Sequence, residues 1–193
     1  IKIDTYFFHN NTAEVSGGSI YVDANSPNCK VINSTFDGGM VRTGRGGDID
    51  WVGSNGYIFN STFVNATSSN GGSIYVAETS ANTQIINSSF IDCVSFGKGG
   101  AIVWLGQDGK IIDVHFTNMT AFEAGGAIYG SADKMEIANS TIKYAAGAVS
   151  YRDVYEDCLA GSGICWVDSN NLQIVNTNIT NVKTFADGGG IDL

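Results

Sequence analysis

The sequence predicts an all-β fold, a right-handed single-stranded parallel β-helix, and three observations support it. A glycine pair followed by isoleucine recurs about every 27 residues, and a second motif, rich in asparagine and ending mostly in phenylalanine, keeps phase with it. The chain has 25 glycines, one proline and few leucines, which favours short strands and turns over helices. Because a unit this short cannot bury an apolar face alone, its copies must stack. We expect about six full coils with partial coils at both ends.

The glycine-led motif is a strand that begins at a corner. Its copies read GGSIYV, GGDIDW, GGSIYV, GGAIVW and GGAIYG, with weaker copies GSGICW and GGGIDL, and they start at Gly17, Gly46, Gly71, Gly99, Gly125, Gly161 and Gly188. Side chains alternate between the two faces of a strand, so the isoleucine and the residue two positions after it should both point inward. The glycines should form the tight corner that enters this strand, where neighbouring coils lie close together.

The second motif reads VINSTF, IFNSTF, IINSSF, IIDVHF, IANSTI and IVNTNI in successive units. With a short strand after it, each unit reads as three strands joined by turns. Its polar column comprises Asn33, Asn60, Asn87, Asp113, Asn139 and Asn176. Stacked amides at a turn can hydrogen-bond from one coil to the next, which predicts a structural ladder.

N-glycosylation is the alternative interpretation of these asparagines. Sequons occur at Asn10, Asn33, Asn60, Asn65, Asn87, Asn118, Asn139 and Asn178. Many such sites are typical of a secreted glycoprotein, although a repeat rich in Asn, Ser and Thr generates sequons by itself. The sequence leaves both interpretations open.

The cysteines bear on the cellular compartment. The one insertion in the repeat falls at 145–160 and contains Cys158. Cys158 and Cys165 could close a short loop as a disulfide, which suits an oxidising, extracellular setting. The alternative is that all four cysteines of the chain are small buried hydrophobes. Because neither CxxC spacing nor neighbouring histidines indicates a zinc site, we expect no metal and no cofactor.

Net charge limits the partners. Ten Lys and Arg against nineteen Asp and Glu give a net charge of −9, which disfavours nucleic acid and anionic lipid. No apolar run approaches the ~20 residues that span a bilayer, so this segment should not insert into a membrane. We expect residues 1–193 to form one domain. The start at Ile1, without Met or a signal-like segment, favours a piece of a longer precursor or repeat array.

The glycine motif, combined with a phenylalanine followed two residues later by Asn or Asp, resembles the repeats of right-handed parallel β-helix surface proteins. The resemblance is to chlamydial polymorphic outer-membrane proteins and to adhesin-like proteins of methanogenic archaea, and it covers essentially the whole chain. The chlamydial repeats pair GGA[ILV] with FxxN, whereas here only FHNN at Phe8 has that second motif in full. The resemblance implies a secreted or cell-surface passenger region that binds other cells or matrix.

Catalytic residues must be considered, because many solenoids of this shape cleave acidic polysaccharides. Hydrolases need paired carboxylates ~5–9.5 Å apart, and lyases need an acidic calcium cluster with a basic residue. The best candidates are Asp48 and Asp50, which flank Ile49 on an exposed strand without a companion column of Arg or Lys. His9 and His115 lie four coils apart, roughly 19 Å, and cannot share a proton. We therefore expect no catalytic residues.

Two outward columns are the candidate binding surfaces. The first lies on the glycine-led strands and includes Tyr21, Asp50, Tyr75 and Tyr129. Its tyrosines recur on alternate coils, ~10 Å apart, and would form a flat platform for a sugar or a protein partner, although strand propensity alone also explains them. The second is an apolar stripe before the polar column, formed by Ile32, Phe59, Ile86, Ile112 and Val175. It predicts an interface with a neighbouring subunit or with the insertion folded over it.

These observations favour a non-catalytic, adhesin-like binding region at the extracellular cell surface. Its partner would be a protein or glycan on a host cell or a neighbouring cell. The alternative is a structural subunit that stacks end to end with further copies of itself in an extracellular filament or sheath. A polysaccharide lyase or hydrolase is the third hypothesis.

Overall fold

The computed structural model describes residues 1–148 and 161–193, which form a parallel β-solenoid of about seven turns. Its strands are ordered into four parallel sheets of seven strands each, and each coil contributes one strand to every sheet. The all-β prediction with coils of about 27 residues is confirmed. Among the described residues, no helix is long and apolar enough to cross a membrane.

The strands are two or three residues long and follow one another through sheets A, B, C and D. Sheet A contains β1 (Lys2–Asp4), β5 (Lys30–Ile32), β9 (Tyr57–Phe59), β13 (Gln84–Ile86), β17 (Lys110–Ile112), β21 (Glu136–Ala138) and β25 (Gln173–Val175). Sheet B contains β2 (Phe7–His9), β6 (Thr35–Asp37), β10 (Thr62–Val64), β14 (Ser89–Ile91), β18 (His115–Thr117), β22 (Thr141–Lys143) and β26 (Asn178–Thr180).

Sheet C contains β3 (Thr12–Ala13), β7 (Met40–Val41), β11 (Thr67–Ser68), β15 (Val94–Ser95), β19 (Thr120–Ala121), β23 (Ala146–Gly147) and β27 (Lys183–Thr184). Sheet D contains β4 (Ile20–Val22), β8 (Ile49–Trp51), β12 (Ile74–Val76), β16 (Ile102–Trp104), β20 (Ile128–Gly130), β24 (Ile164–Trp166) and β28 (Ile191–Asp192). Equivalent residues of successive coils pair in register, so columns of the sequence alignment are columns of the structure.

The interior follows the predicted columns. The isoleucines of the inner sheet D strands are fully buried, and Trp51 and Trp104 fill the second inward column. On sheet B, rings from Phe8 to Phe116 stack nearly parallel, one per coil; the centroids of Phe36 and Phe63 are 4.8 Å apart. The last coil is less covered, and Leu193, predicted to point inward, is 81% exposed. Stacking identical side chains thus builds one continuous apolar core.

The coil has four strands, not the predicted three. The six-residue motif does not form a single strand, because its asparagine adopts a left-handed conformation, as at Asn60 with φ of 49°. A left-handed residue breaks an extended strand, and among non-glycine residues Asn tolerates it best. The motif therefore divides into a sheet A strand, an asparagine corner and a sheet B strand.

The asparagine corner carries the predicted amide ladder on its outer side. Asn60 Nδ2 donates to Asn33 Oδ1 at 2.8 Å, and Asn87 Nδ2 donates to Asn60 Oδ1 at 3.3 Å. The inner side has a second ladder that the sequence interpretation missed. There the buried Ser61 hydroxyl donates to a carbonyl of its own coil and accepts the N–H of Ser34 from the preceding coil. In these coils the amides of Asn60 and Asn87 and the hydroxyls of Ser34, Ser61 and Ser88 are therefore bonded within or between coils.

The glycine corner, between sheets C and D, confirms the predicted close approach of coils. The first glycine of each pair has positive φ, 64° at Gly71. The second stacks directly on its counterpart: a Cβ built on Gly72 would lie 2.0 Å from the carbonyl oxygen of Gly100. A side chain at that position has no space, since the obstacle is the backbone of the neighbouring coil.

The insertion at 145–160 lies largely outside the described residues, and so does Cys158. Sheets C and D nevertheless continue in register across it, because β23 pairs with β27 and β20 pairs with β24. Cys165 is disulfide-bonded, whereas Cys29 and Cys93 are buried free thiols.

Candidate ligand-binding surface

The outer face of sheet D is not the open tyrosine platform that the sequence predicts. Tyr21 is 53% exposed, but Tyr75 is half-buried, Tyr129 is only 9% exposed and Asp50 is fully buried. Val103, the next residue in the column after Tyr75, is also buried. The tyrosines do recur on alternate coils, but the faces of two of the three are covered by side chains from neighbouring segments.

The covering side chains come from the residue before the glycine pair. Arg45 forms an ion pair with Asp50, with 3.0 Å between Nε and Oδ2, and its guanidinium lies 4.5 Å from the ring centroid of Tyr75 in the next coil. Lys98 repeats the arrangement two coils later, with Nζ 4.6 Å from the ring centroid of Tyr129. Such cation–π contacts stabilise a folded-over side chain. A basic residue before a glycine pair, one coil ahead of a tyrosine, is the sequence signal that would have revealed them.

The two carboxylates proposed as a hydrolytic pair are both fully buried, contrary to the expectation of an exposed strand. Asp50 is paired with Arg45, whereas Asp48 Oδ2 accepts a hydrogen bond of 2.8 Å from the buried Ser73 hydroxyl. Asp48 Oδ1 faces Gly39 and has no hydrogen bond of good geometry. Burial raises the pKa of Asp48 to about 7, and the nearby Asp37 carboxylate adds to the shift. Neither carboxylate can contact a polysaccharide in this arrangement.

The two histidines have separate local partners. His9 Nδ1 lies 3.3 Å from Asp37 Oδ2, and His115 Nδ1 lies 2.8 Å from the Thr141 hydroxyl. They are on β2 and β18, four coils apart as expected. They do not form one site.

Sheet A presents a more open outer face. Its strands begin with outward side chains that include Lys30, Tyr57 and Gln84, and they end with the predicted apolar stripe, Ile32, Phe59, Ile86, Ile112 and Val175. Most of the stripe is half-buried, and Val175 is 44% exposed, whereas the preceding residues of the inner coils, such as Ile58, are fully buried. The stripe therefore points outward. Its role as an interface stays a prediction, and the insertion proposed to cover it lies mostly outside the described residues.

Polar corners border this face on both sides. The asparagine ladder follows the stripe. The opposite border is the corner that precedes sheet A, which carries a second left-handed column formed by Asn28, Asn55, Asn82, Asp108, Lys134 and Asn171. The sequence interpretation missed this column because the loop before it varies in length.

Two grooves lie between that second column and the first outward residues of sheet A. The first, about 330 Å³, spans three coils and is lined by Asn28, Lys30, Asn55, Tyr57, Asn82 and Gln84. We call it the amide groove. The second, about 420 Å³, spans the following three coils and is lined by Asp108, Lys110, Lys134, Glu136, Asn171 and Gln173. We call it the ion-pair groove.

The grooves differ in chemistry. In the ion-pair groove, Lys110 Nζ lies 2.7 Å from Glu136 Oε2 and Lys134 Nζ lies 3.6 Å from Asp108 Oδ1. In the amide groove, Tyr57 stands nearly parallel to Phe59, with ring centroids 5.9 Å apart. An aromatic pair and adaptable amides are suited to binding an organic ligand, whereas paired charges on a surface largely satisfy one another.

Asn33, Asn60, Asn87 and Asn139 begin sequons at the asparagine corner. Asn10, Asn65 and Asn118 begin sequons at another left-handed corner, between sheets B and C, and Asn178 lies on β26. Several of their amides already take part in ladders, as those of Asn60 and Asn87 do. Their glycosylation stays a prediction.

Comparison with known proteins does not place this chain in a family. No protein-family model matches the sequence, and neither a curated protein nor a solved structure is significantly similar to it. The chain is thus assigned to the parallel β-solenoid fold and to no family.

Proposed function

We propose that this chain is a non-catalytic, adhesin-like binding region of an extracellular or cell-surface protein, and that the outer face of sheet A is its attachment surface. One observation carries the proposal: this face combines an outward, partly exposed apolar stripe with polar borders on both sides. Outward apolar surface rimmed by polar groups is typical of interaction sites.

The repeat supports attachment to an extended partner. Equivalent side chains recur at ~4.8 Å from coil to coil, so the apolar stripe continues over six successive coils, from Ile32 to Val175. The motifs shared with β-helix surface adhesins favour the same function. The burial of Asp48 and Asp50 argues against the polysaccharide-cleaving alternative, since these were its best catalytic candidates.

A filament or sheath subunit is the second candidate. The outermost strands of the four sheets, β1 to β4 and β25 to β28, each pair on one side only in the described structure. Unpaired parallel edges favour the addition of another strand, from further coils of the same protein or from a second copy. Size-exclusion chromatography and electron microscopy of the purified chain separate the candidates, because ordered polymers favour the filament and monomers favour the adhesin.

The attachment surface is tested by placing a charge in the middle of the stripe. We expect Ile86→Lys to reduce retention of the protein on immobilised mammalian and bacterial cells and on matrix proteins, because it places a charge at an apolar contact. Tyr21→Lys, an exposed change on sheet D, is the matched control and should leave retention unchanged. Equal retention of the wild type and the Ile86→Lys variant would refute the assignment to sheet A.

A further inference from the structure

We infer that the amide groove is a binding site for a neutral glycan whose chain runs along the solenoid axis. This inference rests on the proposed attachment function and specifies its ligand. The groove is lined by residues of three successive coils and lies next to the apolar stripe, since Tyr57 of the groove and Phe59 of the stripe begin and end the same strand, β9. A linear chain that crosses coils meets similar polar groups at each step.

The aromatic pair provides the apolar contact. Tyr57 and Phe59 are both half-buried, and their ring planes differ by only 10°. The exposed parts of the two rings can pack against the C–H groups of a sugar ring, next to the Lys30 ammonium group, whose Nζ lies over the Tyr57 ring at 5.8 Å from its centroid. Tyrosine adds a hydroxyl at its polar end, so it suits a ligand that is apolar on one face and hydroxylated at its rim.

The amides provide hydrogen bonds for sugar hydroxyls. Asn55 and Asn82 occupy equivalent positions in adjacent coils, both left-handed, and Asn82 Nδ2 donates to Asn55 Oδ1 at 3.3 Å. An Asn side chain has two N–H donors and two acceptor lone pairs, so this single bond leaves donors and acceptors on both residues for a ligand. Gln84 adds a further amide beside Tyr57. Hydroxyl groups both donate and accept, which matches such a mixed set.

Charge favours a neutral glycan over an acidic one. The chain carries a net charge of −9, which repels an extended polyanion. Lys30 is the one lysine that lines the amide groove, and its Nζ lies 5.8 Å from the ring centroid of Tyr57. A single cation beside an aromatic ring can donate to hydroxyls, but it does not offset the charge of a polymer with one carboxylate per sugar.

The ion-pair groove is the internal comparison. It lies on the same face and has a similar volume, but no aromatic residue lines it and its lysines face carboxylates. A sugar there would have to displace existing ion pairs without gaining a ring contact. The inference therefore assigns binding to the amide groove alone.

Affinity electrophoresis in native gels tests this assignment. Gels contain hydroxyethyl cellulose, galactomannan or polygalacturonate, and dissociation constants come from the shift in mobility. We expect a neutral polysaccharide to retard the wild type and Tyr57→Ala to weaken binding by about tenfold or more, while Tyr57→Phe stays within about threefold. Lys110→Ala, in the ion-pair groove, should bind like the wild type. Far-ultraviolet circular dichroism checks that each variant is folded.

The outcomes separate the inference from the proposed function. Retardation by polygalacturonate alone would overturn the neutral ligand, and equal weakening by Tyr57→Ala and Lys110→Ala would overturn the site. If neither neutral polysaccharide retards the protein while cells and matrix still retain it through sheet A, the glycan inference fails and the attachment function stands. If no surface and no polysaccharide binds it, both fail.

Discussion

The glycine corner and the asparagine corner both turn the backbone through a left-handed residue, but the surroundings of that residue differ between the two corners. Each needs one left-handed residue per coil, Gly71 at one and Asn60 at the other. At the left-handed Gly71, a Cβ would lie 2.3 Å from the carbonyl oxygen of Ile74 in its own coil, and at the next residue, Gly72, it would lie 2.0 Å from the carbonyl oxygen of Gly100 in the neighbouring coil. At the asparagine corner the side chain points to solvent and bonds the coils above and below it.

The difference shows that a left-handed backbone conformation does not by itself determine which amino acid occupies the position. Space determines it: glycine is required where backbone atoms of the same coil or of the next coil occupy the position of the side chain, and asparagine is favoured where a side chain can add coil-to-coil bonds. The same difference in space affects charge. The glycine corner buries the carboxyl group of Asp48, whereas the asparagine corner exposes its amides to water and buries only the serine hydroxyls beside them.

The largest expected effect is at the tightest point of the glycine corner. Gly72→Val should prevent folding or lower the free energy of unfolding by more than about 4 kcal/mol, because its Cβ overlaps the carbonyl of Gly100. Gly189→Val is the matched control, since Gly189 has no heavy atom within 4 Å of its Cβ position, and it should be nearly neutral. Urea titration followed by circular dichroism measures both. Similar destabilisation by the two variants would show that the close approach is not the cause.

The buried carboxylic acid of the glycine corner should make stability depend on pH. The pKa of Asp48 is about 7 in the folded protein and ~3.8 when unfolded, so between these values only the folded state binds the proton and stability falls as pH rises. Asp48→Ser introduces serine, the residue that occupies the equivalent position, Ser73, in the next coil. Above pH 7 this variant should have a higher free energy of unfolding than the wild type, by at most about 4 kcal/mol. The gain should vanish near pH 4.

Urea titrations of Asp48→Ser and the wild type at pH 4, 6 and 8 measure this difference. Ser73→Ala is the control, because it removes the hydrogen bond to Asp48 without removing the carboxyl group and should increase the pH dependence. A constant difference between the Asp48→Ser variant and the wild type at all three values would contradict the prediction.

Arg45 should matter more than an ordinary surface arginine, because its partner is fully buried. Arg45→Ala leaves the Asp50 carboxylate without its ion pair and should cost about 3 kcal/mol. The double variant Arg45→Ala/Asp50→Val removes the charge and introduces the residue found at Val103 in the same column, so it should recover most of the loss. Thermal unfolding of the three proteins measures the recovery. A double variant no more stable than Arg45→Ala would mean that packing of the arginine, not pairing, is what is lost.

The asparagine corner should show the smallest effect. Asn60→Ala loses two ladder bonds and the left-handed preference of asparagine, and should cost about 1–2 kcal/mol. Asn60→Gly keeps the backbone conformation and should cost less than Asn60→Ala. Urea titration ranks the two variants. The reverse order would indicate that the side-chain ladder contributes more to the stability of this corner than the backbone conformation does.

Most of the fold was readable from the sequence, but the candidate surface was only partly so. The period, the inward isoleucine column, the close glycine contact and the asparagine ladder are local patterns repeated once per coil, and repetition makes them visible. The division of the coil into four strands was missed, because the pattern VINSTF reads as one strand unless the left-handed conformation of Asn33 is known.

The sequence by itself determined that the chain stacks into a solenoid, because alternation and period are properties of neighbouring residues. Only the tertiary structure decided which outward column stays open. Tyr75 and Tyr129 look exposed in the sequence, yet Arg45 and Lys98 reach them from the preceding coil. Sheet A stays more open: Lys30 Nζ lies 5.8 Å from the ring centroid of Tyr57, yet Lys30, Tyr57 and Gln84 all keep part of their surface exposed, whereas Asp50, Val103 and Tyr129 on sheet D are buried. The physical reason is that the exposure of an outward residue depends on long side chains that extend over it from a neighbouring coil. The alternation of side chains along a single strand does not encode such contacts.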